Sequence, residues 1–338
     1  MKVALFDTHH YDRDSFERAN VGGVHDLRYL EPRLTADTAA MAAGATAVCS
    51  FVNDRVNADT LRILRDVGVR IVALRSAGYN HVDLAAAEAL GLPVVRVPSY
   101  SPHAVAEHAV GLVMALNRKV HRAHARVREG NFSLEGLVGF DLCGKTVGIV
   151  GLGRIGRVAA RIFQGFGCRV LAYDTAAAPP SSADSVDGIR YVGRDEMYRE
   201  ADILTLHVPL TPSTRHLIDA ESLARMKRGV MIINTGRGAL IDTQALVAAL
   251  KTGQVGAAGL DVYEEEADIF FRDLSDQVLQ DDVLARLLTF PNVIVTAHQA
   301  FLTHEALAAI ATTTLESLTA FEKGQPLVNQ VQARDVIR

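Results

Sequence analysis

Residues 147–156 read Val147-Gly148-Ile149-Val150-Gly151-Leu152-Gly153-Arg154-Ile155-Gly156, an apolar strand running into a GxGxxG turn that opens a helix. Gly151 permits a tight turn, Gly153 lets the backbone approach a pyrophosphate, and Gly156 lets helix and strand pack closely. The N-terminus of the helix adds free N–H groups and the positive end of its dipole. Glycine-rich turns are common, so the context decides. The next apolar run, Arg169-Val170-Leu171-Ala172-Tyr173, ends in Asp174, 18 residues after Gly156. An acidic side chain there accepts hydrogen bonds from ribose hydroxyls and repels a 2′-phosphate. The stretch therefore predicts a dinucleotide site for NAD rather than NADP.

Short aliphatic runs alternate with amphipathic stretches on both sides of this motif, the pattern of parallel sheets with crossover helices. One series of strands is expected at 147–150, 169–173, 203–207, 230–234, 257–262 and 293–297, with helices notably at 155–166 and 243–251. An earlier series is expected at 2–6, 25–30, 46–50, 70–74 and 93–97, with helices at 57–67 and 82–90. Between the two, Ser101-Pro102 supplies an N-cap and a proline at the first helical position. A long helix running from there to about residue 129 is expected to bridge two domains or to pack against a partner subunit. A final helix at 304–323 follows the second series and is expected to pack back on the first.

The expected fold is α/β, with two Rossmann-like or flavodoxin-like domains, each on a parallel sheet, and the active site in the cleft between them. Residues 1–100 plus 300–338 form a discontinuous substrate domain and residues 101–299 the NAD-binding domain; a chain of 338 residues suits two cores. The run AAAPPSSADS at 176–185 reads as a surface loop, and the acidic stretch 264–282 as an excursion between strands.

Bulk properties narrow the class. Hydrophobic residues at 49% and charged residues at 22% describe a globular chain rather than a disordered one. A net charge of -4 offers no attraction to nucleic acid or to an acidic membrane surface. Cys49, Cys143 and Cys168 lie far apart with no CxxC pair, which argues for a reducing compartment and against a zinc site. The start, MKVALFD, reads as a first strand rather than a signal peptide, and no apolar run is long enough for a membrane span. A cytoplasmic protein is expected.

In an open parallel sheet, ligands sit beyond the carboxyl ends of the strands. Three ionisable residues fall just there: Arg237 after 230–234, the run Glu264-Glu265-Glu266 after 257–262, and His298 after 293–297. A guanidinium clamps a carboxylate through two hydrogen bonds. Histidine donates a proton to an oxygen on which charge builds during hydride arrival, and a carboxylate beside it favours the charged ring and fixes its tautomer. The set suits reduction of a small 2-oxo acid. His207 also ends an expected strand and is a rival for the same role. His103, Glu107 and His108 suggest a metal only weakly, because the spacing is not HExxH, and no metal is expected.

Taken together, LRSAGYNHVDL (74–84), VPSYSPHAVAEHAVGL (97–112), the segment 131–156, HVPLTPST (207–214), NTGRGALID (234–242), GLDVYEEE (259–266) and AHQAFLTHEAL (297–307) resemble the D-isomer-specific 2-hydroxyacid dehydrogenases. The resemblance covers nearly the whole chain and is strongest to the bacterial fermentative, D-lactate-forming branch. It implies Arg237, Glu266 and His298 as the catalytic residues, with Glu266 raising the pKa of the histidine. Glu264 and Glu265 are adjacent, so the choice among the three glutamates stays open. It implies that Asp174 holds the ribose, that Arg154 and Ile155 meet the pyrophosphate, and that Val208, Pro209 and Thr214 line the adenosine side. Thr235 and Asp261 would lie near the nicotinamide. Backbone N–H groups around Ala77, Gly78 and Tyr79 would meet the substrate carboxylate, and Tyr100 and Phe301 would shape the pocket beside C3. Pyruvate and D-lactate are the implied substrates and a homodimer the implied assembly. Relatives acting on hydroxyisocaproate, phenylpyruvate, glyoxylate or hydroxypyruvate are the alternative within the class, and a non-catalytic NAD(H)-sensing protein the alternative outside it. Two positions depart from the family pattern: Gly236, where serine is common, and Ala297, where proline or glycine is common.

Overall fold

Five short strands lay down the first sheet in a computed structural model of the chain: β1 (Lys2–Leu5), β2 (Asp26–Tyr29), β3 (Ala47–Ser50), β4 (Ile71–Leu74) and β5 (Val94–Val95). The structure describes residues 1–174, 185–266 and 269–335. β3 and β4 are buried at every residue, as strands covered on both faces must be. Helices α1 (His10–Ala19), α2 (Ala58–Asp66) and α3 (Leu84–Ala89) make the connections. Asn57 caps α2 by accepting from Thr60 N, and Asp83 caps α3 by accepting from Ala86 N.

Arg75 lies just beyond β4 and is only 2% exposed. Its guanidinium donates to the carbonyls of Phe6 and Asp7 at 2.8 Å each, stands 3.4 Å from Asp12 and lies 4.8 Å from the centre of the Phe51 ring. A buried charge without partners costs several kcal/mol; here it ties the carboxyl ends of β1, β3 and β4 to α1.

The long helix expected from 101 to about 129 is two helices, α4 (Pro102–Arg118) and α5 (Val120–Arg128). Lys119 breaks them apart with a left-handed φ of 52°. The cause is packing: α4 is buried as far as Leu116 and Asn117, whereas α5 buries nothing. The Asn117 side chain also holds Phe140 by both its N–H and its carbonyl, at 2.8 and 2.7 Å.

The second sheet consists of β6 (Thr146–Val150), β7 (Arg169–Tyr173), β8 (Ser185–Val186), β9 (Ile189–Tyr191), β10 (Ile203–Leu206), β11 (Val230–Asn234), β12 (Val255–Leu260) and β13 (Val293–Val295). Its order is β13-β12-β11-β10-β6-β7-β9-β8, parallel except for the β8–β9 pair. The order reverses between β6 and β10, so the crevice at their carboxyl ends is where a ligand belongs. Helices α6 (Arg154–Gly165), α7 (Arg194–Glu200), α8 (Ala220–Arg225), α9 (Thr243–Thr252) and α10 (Asp282–Leu288) accompany these strands. β8, β9, α7, α8 and α10 are too short to carry a readable period, and the sequence reading names none of them. The expected surface loop at 176–185 lies, apart from Ser185, outside the described residues.

The chain then forms α11 (His304–Glu322), capped by Thr303, and β14 (Gln330–Val331), which pairs antiparallel with β5. The first sheet is thereby completed in the order β14-β5-β4-β3-β1-β2. Leu315 and Leu318 of α11 share a core with Val3, Phe16 and Ile71. The chain divides into two units, Met1–Ser101 with Phe301–Arg338, and Pro102–Ala300. No helix among the described residues is long and apolar enough to cross a membrane.

Candidate active site

β6 ends in the glycine turn, and the three glycines differ in what surrounds them. A Cβ on Gly151, whose φ is 91°, would stand 2.7 Å from the His207 carbonyl oxygen, and one on Gly156 would stand 2.0 Å from that of Gly151. These two glycines serve packing. A Cβ on Gly153 would meet nothing within 4 Å, so this is where another molecule has room to approach. No side chain caps α6 and no acid lies in its first turn, which leaves the first N–H groups, those of Arg154, Ile155 and Gly156, available. Asp174 accepts from Leu152 N at 3.0 Å, fastening the acid to the turn. Val208 lies against Gly151, and Thr214 binds the loop after β10 together through Pro209 O at 2.7 Å and Thr211 N at 2.8 Å. Past β11, the hydroxyl of Thr235 is buried without a hydrogen-bond partner among the described residues, a polar group of the kind a bound ligand satisfies. These residues fit a dinucleotide.

The histidine after β13 meets one of the three glutamates. His298 Nδ1 lies 2.8 Å from Glu266 Oε1, and the other Glu266 oxygen accepts from Tyr263 N at 3.0 Å. Glu264 instead binds His216 at 2.7 Å and Arg215 at 3.2 Å, and Glu265 is exposed. The His298 and Glu266 side chains are 15% and 18% exposed, and the Phe271 ring lies 5.8 Å from the imidazole.

Ala297 and His298 both adopt left-handed backbone, with φ of 52° and 60°. Asp261, wholly buried, holds them there. Its carboxylate accepts from Thr296 Oγ1 at 2.7 Å, Gln299 N at 2.8 Å and Ala300 N at 2.9 Å, while its carbonyl accepts from His298 N at 2.5 Å. Burial pushes this carboxyl up, but the bonds from His108, Thr296 and Ala300 outweigh burial and hold it below the usual carboxylate range. His108 is thus engaged with Thr296 at 3.0 Å and Asp261 at 3.4 Å, while His103 faces Glu107 on the surface at 3.9 Å.

Arg237 sits in a loop held at both ends by one side chain. Asn234 accepts from Gly236 N at 3.0 Å and donates to Arg237 O at 2.9 Å. A Cβ on Gly238 would come within 2.0 Å of Tyr263 O, so the loop lies flush against the backbone leading to Glu266. The half-buried guanidinium donates to Gly236 O at 2.8 Å and has no carboxylate partner among the described residues. His207, the rival histidine, binds Thr205 at 3.0 Å, and desolvation lowers it to about 4, which keeps it neutral.

In the first unit, Ala77, Gly78 and Tyr79 form the turn after β4, and Tyr100 meets Phe301 edge-on at 6.4 Å. Phe51 completes that aromatic group, 6.0 Å from Phe301. Phe51, Asn234, Thr296 and the structural role of His108 all escape the sequence reading. Asn234 and Thr296 each precede a named residue closely, a signal that a search for chain-pinning neighbours picks up.

Residues 110–300 match the model of the D-isomer specific 2-hydroxyacid dehydrogenase, NAD binding domain. Over 322 residues, 95% of this chain and 96% of the relative, the sequence is 51% identical to 2-hydroxyacid dehydrogenase homolog 1 of Schizosaccharomyces pombe. It is 49% identical to the D-lactate dehydrogenase of Escherichia coli over 98% of this chain and 100% of that one. The solved structure of a pyruvate reductase of Chlamydomonas reinhardtii superposes with a TM-score of 0.91 at 47% identity, covering 97% of this chain and 98% of that one.

The neutral His207 has a consequence for stability. Its folded value, about 4, lies below the ordinary 6.5, so on acidification the unfolded chain takes up the proton first. Its contribution is complete above pH 6.5 and declines as the pH falls towards 4, by at most about 3 kcal/mol. Denaturant unfolding of wild type and His207→Gln from pH 7 to 4.5 should show the wild type losing more stability; parallel losses would refute a neutral, desolvated imidazole.

Proposed function

Because the chain belongs to the D-isomer specific 2-hydroxyacid dehydrogenase family and is therefore an NAD-dependent oxidoreductase of 2-hydroxy acids, we propose that it interconverts pyruvate and D-lactate, using Arg237, Glu266 and His298. The observation that carries this reading is the His298–Glu266 pair, set by Asp261 at the carboxyl edge of the dinucleotide-binding sheet.

Arg237, with no carboxylate partner among the described residues, offers parallel N–H groups to the substrate carboxylate and draws charge from the carbonyl beside it. His298 has Nδ1 committed to Glu266, while Nε2 has no partner among the described residues. Nε2 gives its proton to the C2 oxygen in reduction and takes it back in oxidation. Glu266 fixes which nitrogen faces the substrate, and its charge, 2.8 Å away, sits beside a ring that is cationic in half of the cycle. Bound NAD supplies the hydride exchange at C2. Gly153, Arg154, Ile155 and Asp174 would hold its pyrophosphate and ribose in the turn that Gly151 and Gly156 allow, Val208, Pro209 and Thr214 would line its adenosine side, and Thr235 would face its nicotinamide end, with the buried Asp261 bracing the neighbouring strand end.

From the first unit, the N–H groups of Ala77, Gly78 and Tyr79 receive the carboxylate, and Tyr100 and Phe301 form an aromatic wall suited to a methyl group. The likeness to the Escherichia coli D-lactate dehydrogenase and the Chlamydomonas pyruvate reductase supports pyruvate as the acid. Three free cysteines suit a reducing, cytoplasmic setting. Val120, Val127, Phe132, Leu134 and Val138 are each more than half exposed, an apolar surface that a second copy would cover to form a homodimer.

NADH oxidation with pyruvate, phenylpyruvate, 2-oxoisocaproate, glyoxylate and hydroxypyruvate, with the product's chirality determined, tests the substrate. A kcat/KM preference for pyruvate yielding D-lactate is expected. Preference for a larger acid would overturn the reading of Tyr100 and Phe301, and NADH binding without any turnover would point to a sensor. Sedimentation should show a particle of twice the 36.5 kDa chain, which Phe132→Asp with Leu134→Asp should dissociate; a wild-type monomer would contradict the dimer.

A further inference from the structure

The turn after β4 has an uneven hydrogen-bond account. The carbonyl of Ser76 accepts from Val97 N at 3.1 Å, that of Ala77 from Arg96 Nη1 at 2.7 Å, that of Gly78 from Ser76 Oγ at 2.7 Å, and that of Tyr79 from Val82 N at 3.1 Å. Every carbonyl of the turn is occupied. The N–H groups of Ala77 and Gly78 have no partner among the described residues. Successive backbone N–H groups without acceptors are a receptor for an anion, provided that the peptide planes are held still.

Arg96 is the side chain that holds them. It directly follows β5, and its own N–H is bonded to Asn329 O at 3.0 Å, which anchors it to the segment leading into β14. Its guanidinium donates to the Ala77 carbonyl and lies over the Tyr79 ring, 5.2 Å from the centre. A planar cation that bonds one end of the turn and stacks on the other restrains both peptide planes between them. A flexible ammonium keeps the bond but not the stack.

We infer that Arg96 is a positioning residue for substrate binding: it presets the Ala77–Tyr79 turn so that the N–H groups of Ala77 and Gly78 meet the carboxylate of the 2-oxo acid. This rests on the proposed reading of the turn as a carboxylate receptor. Arg96 reaches the substrate only through the turn, so its loss weakens binding of the acid and leaves the dinucleotide and the proton transfer in place. A preset receptor gains affinity because little ordering is left to do on binding.

The test compares wild type, Arg96→Lys and Arg96→Met in four measurements: KM for pyruvate, kcat at saturation, NADH affinity by fluorescence titration, and binding of oxamate to the enzyme–NADH complex. For Arg96→Met, KM and the oxamate dissociation constant should rise roughly 10- to 100-fold, the factor for losing a charge-assisted hydrogen bond. The NADH affinity and kcat should change by less than about threefold, and Arg96→Lys should recover part of the loss. If Arg96→Met does not fold, Arg96→Lys carries the test, with a rise of at least about threefold in both constants expected. Unchanged KM and oxamate binding, or an equal loss of NADH affinity, overturns the inference. Wild-type turnover separates the two readings. If wild type reduces pyruvate and the variants match it, only the role of Arg96 falls; if wild type reduces no 2-oxo acid, the proposed function falls.

Discussion

The carboxylate of Asp261, wholly removed from water, binds one short stretch of chain at several points, and the placement of His298 depends on it. Ala297 and His298 sit in left-handed backbone, which costs a non-glycine residue roughly 1–2 kcal/mol each. Against this stand three hydrogen bonds to a charged group, from Thr296, Gln299 and Ala300, each contributing about 1.5–3 kcal/mol. The bonds win, so the loop is held before any ligand arrives. Ala297 is informative here: a glycine at its φ of 52° would be free of the strain, and a proline, fixed near −65°, could not adopt it. His108 completes the arrangement from α4, helping to hold below the usual carboxylate range a carboxyl that burial by itself raises.

The arginine loop obeys the same logic with neutral groups. Asn234, the last residue of β11, spans Gly236 and Arg237 with its amide, and the closeness of Gly238 to Tyr263 fixes the distance between two neighbouring strand ends. Serine in place of Gly236 is not needed to hold the loop, since Asn234 already does so. Arg237 and the backbone approaching Glu266 are therefore set by one asparagine and one glycine. In the first unit, Arg75 plays the corresponding part for β1, β3 and β4 by bonding carbonyls rather than capping N–H groups.

Much of this is legible in the amino-acid order. Each strand of the two series stands within two residues of its expected bounds, most of them because strands buried on both faces need continuous aliphatic runs, which the half-exposed β2 does not have. The glycines of 151–156 are readable because they fill backbone positions open to few residue types, and Asp174 because an acid ends the strand that follows the turn. The break at Lys119 is not readable, since nothing in the local sequence says that Asn117 turns inward to hold Phe140. Nor does composition choose among Glu264, Glu265 and Glu266. That choice depends on which carboxylate the fold turns towards His298 and which towards His216. Asn234, Thr296 and Phe51 act through tertiary contacts with no spacing to announce them.

The central claim is that His298, positioned by Glu266 and Asp261, exchanges the proton at the C2 oxygen. It is tested most directly by kcat/KM measured against pH in both directions for wild type and His298→Gln. The account predicts that wild-type reduction weakens and oxidation strengthens with rising pH through one shared ionisation. In the variant both dependences should vanish, with a loss of about 10²–10⁴ in rate. A variant that keeps the wild-type profile and magnitude would contradict the account.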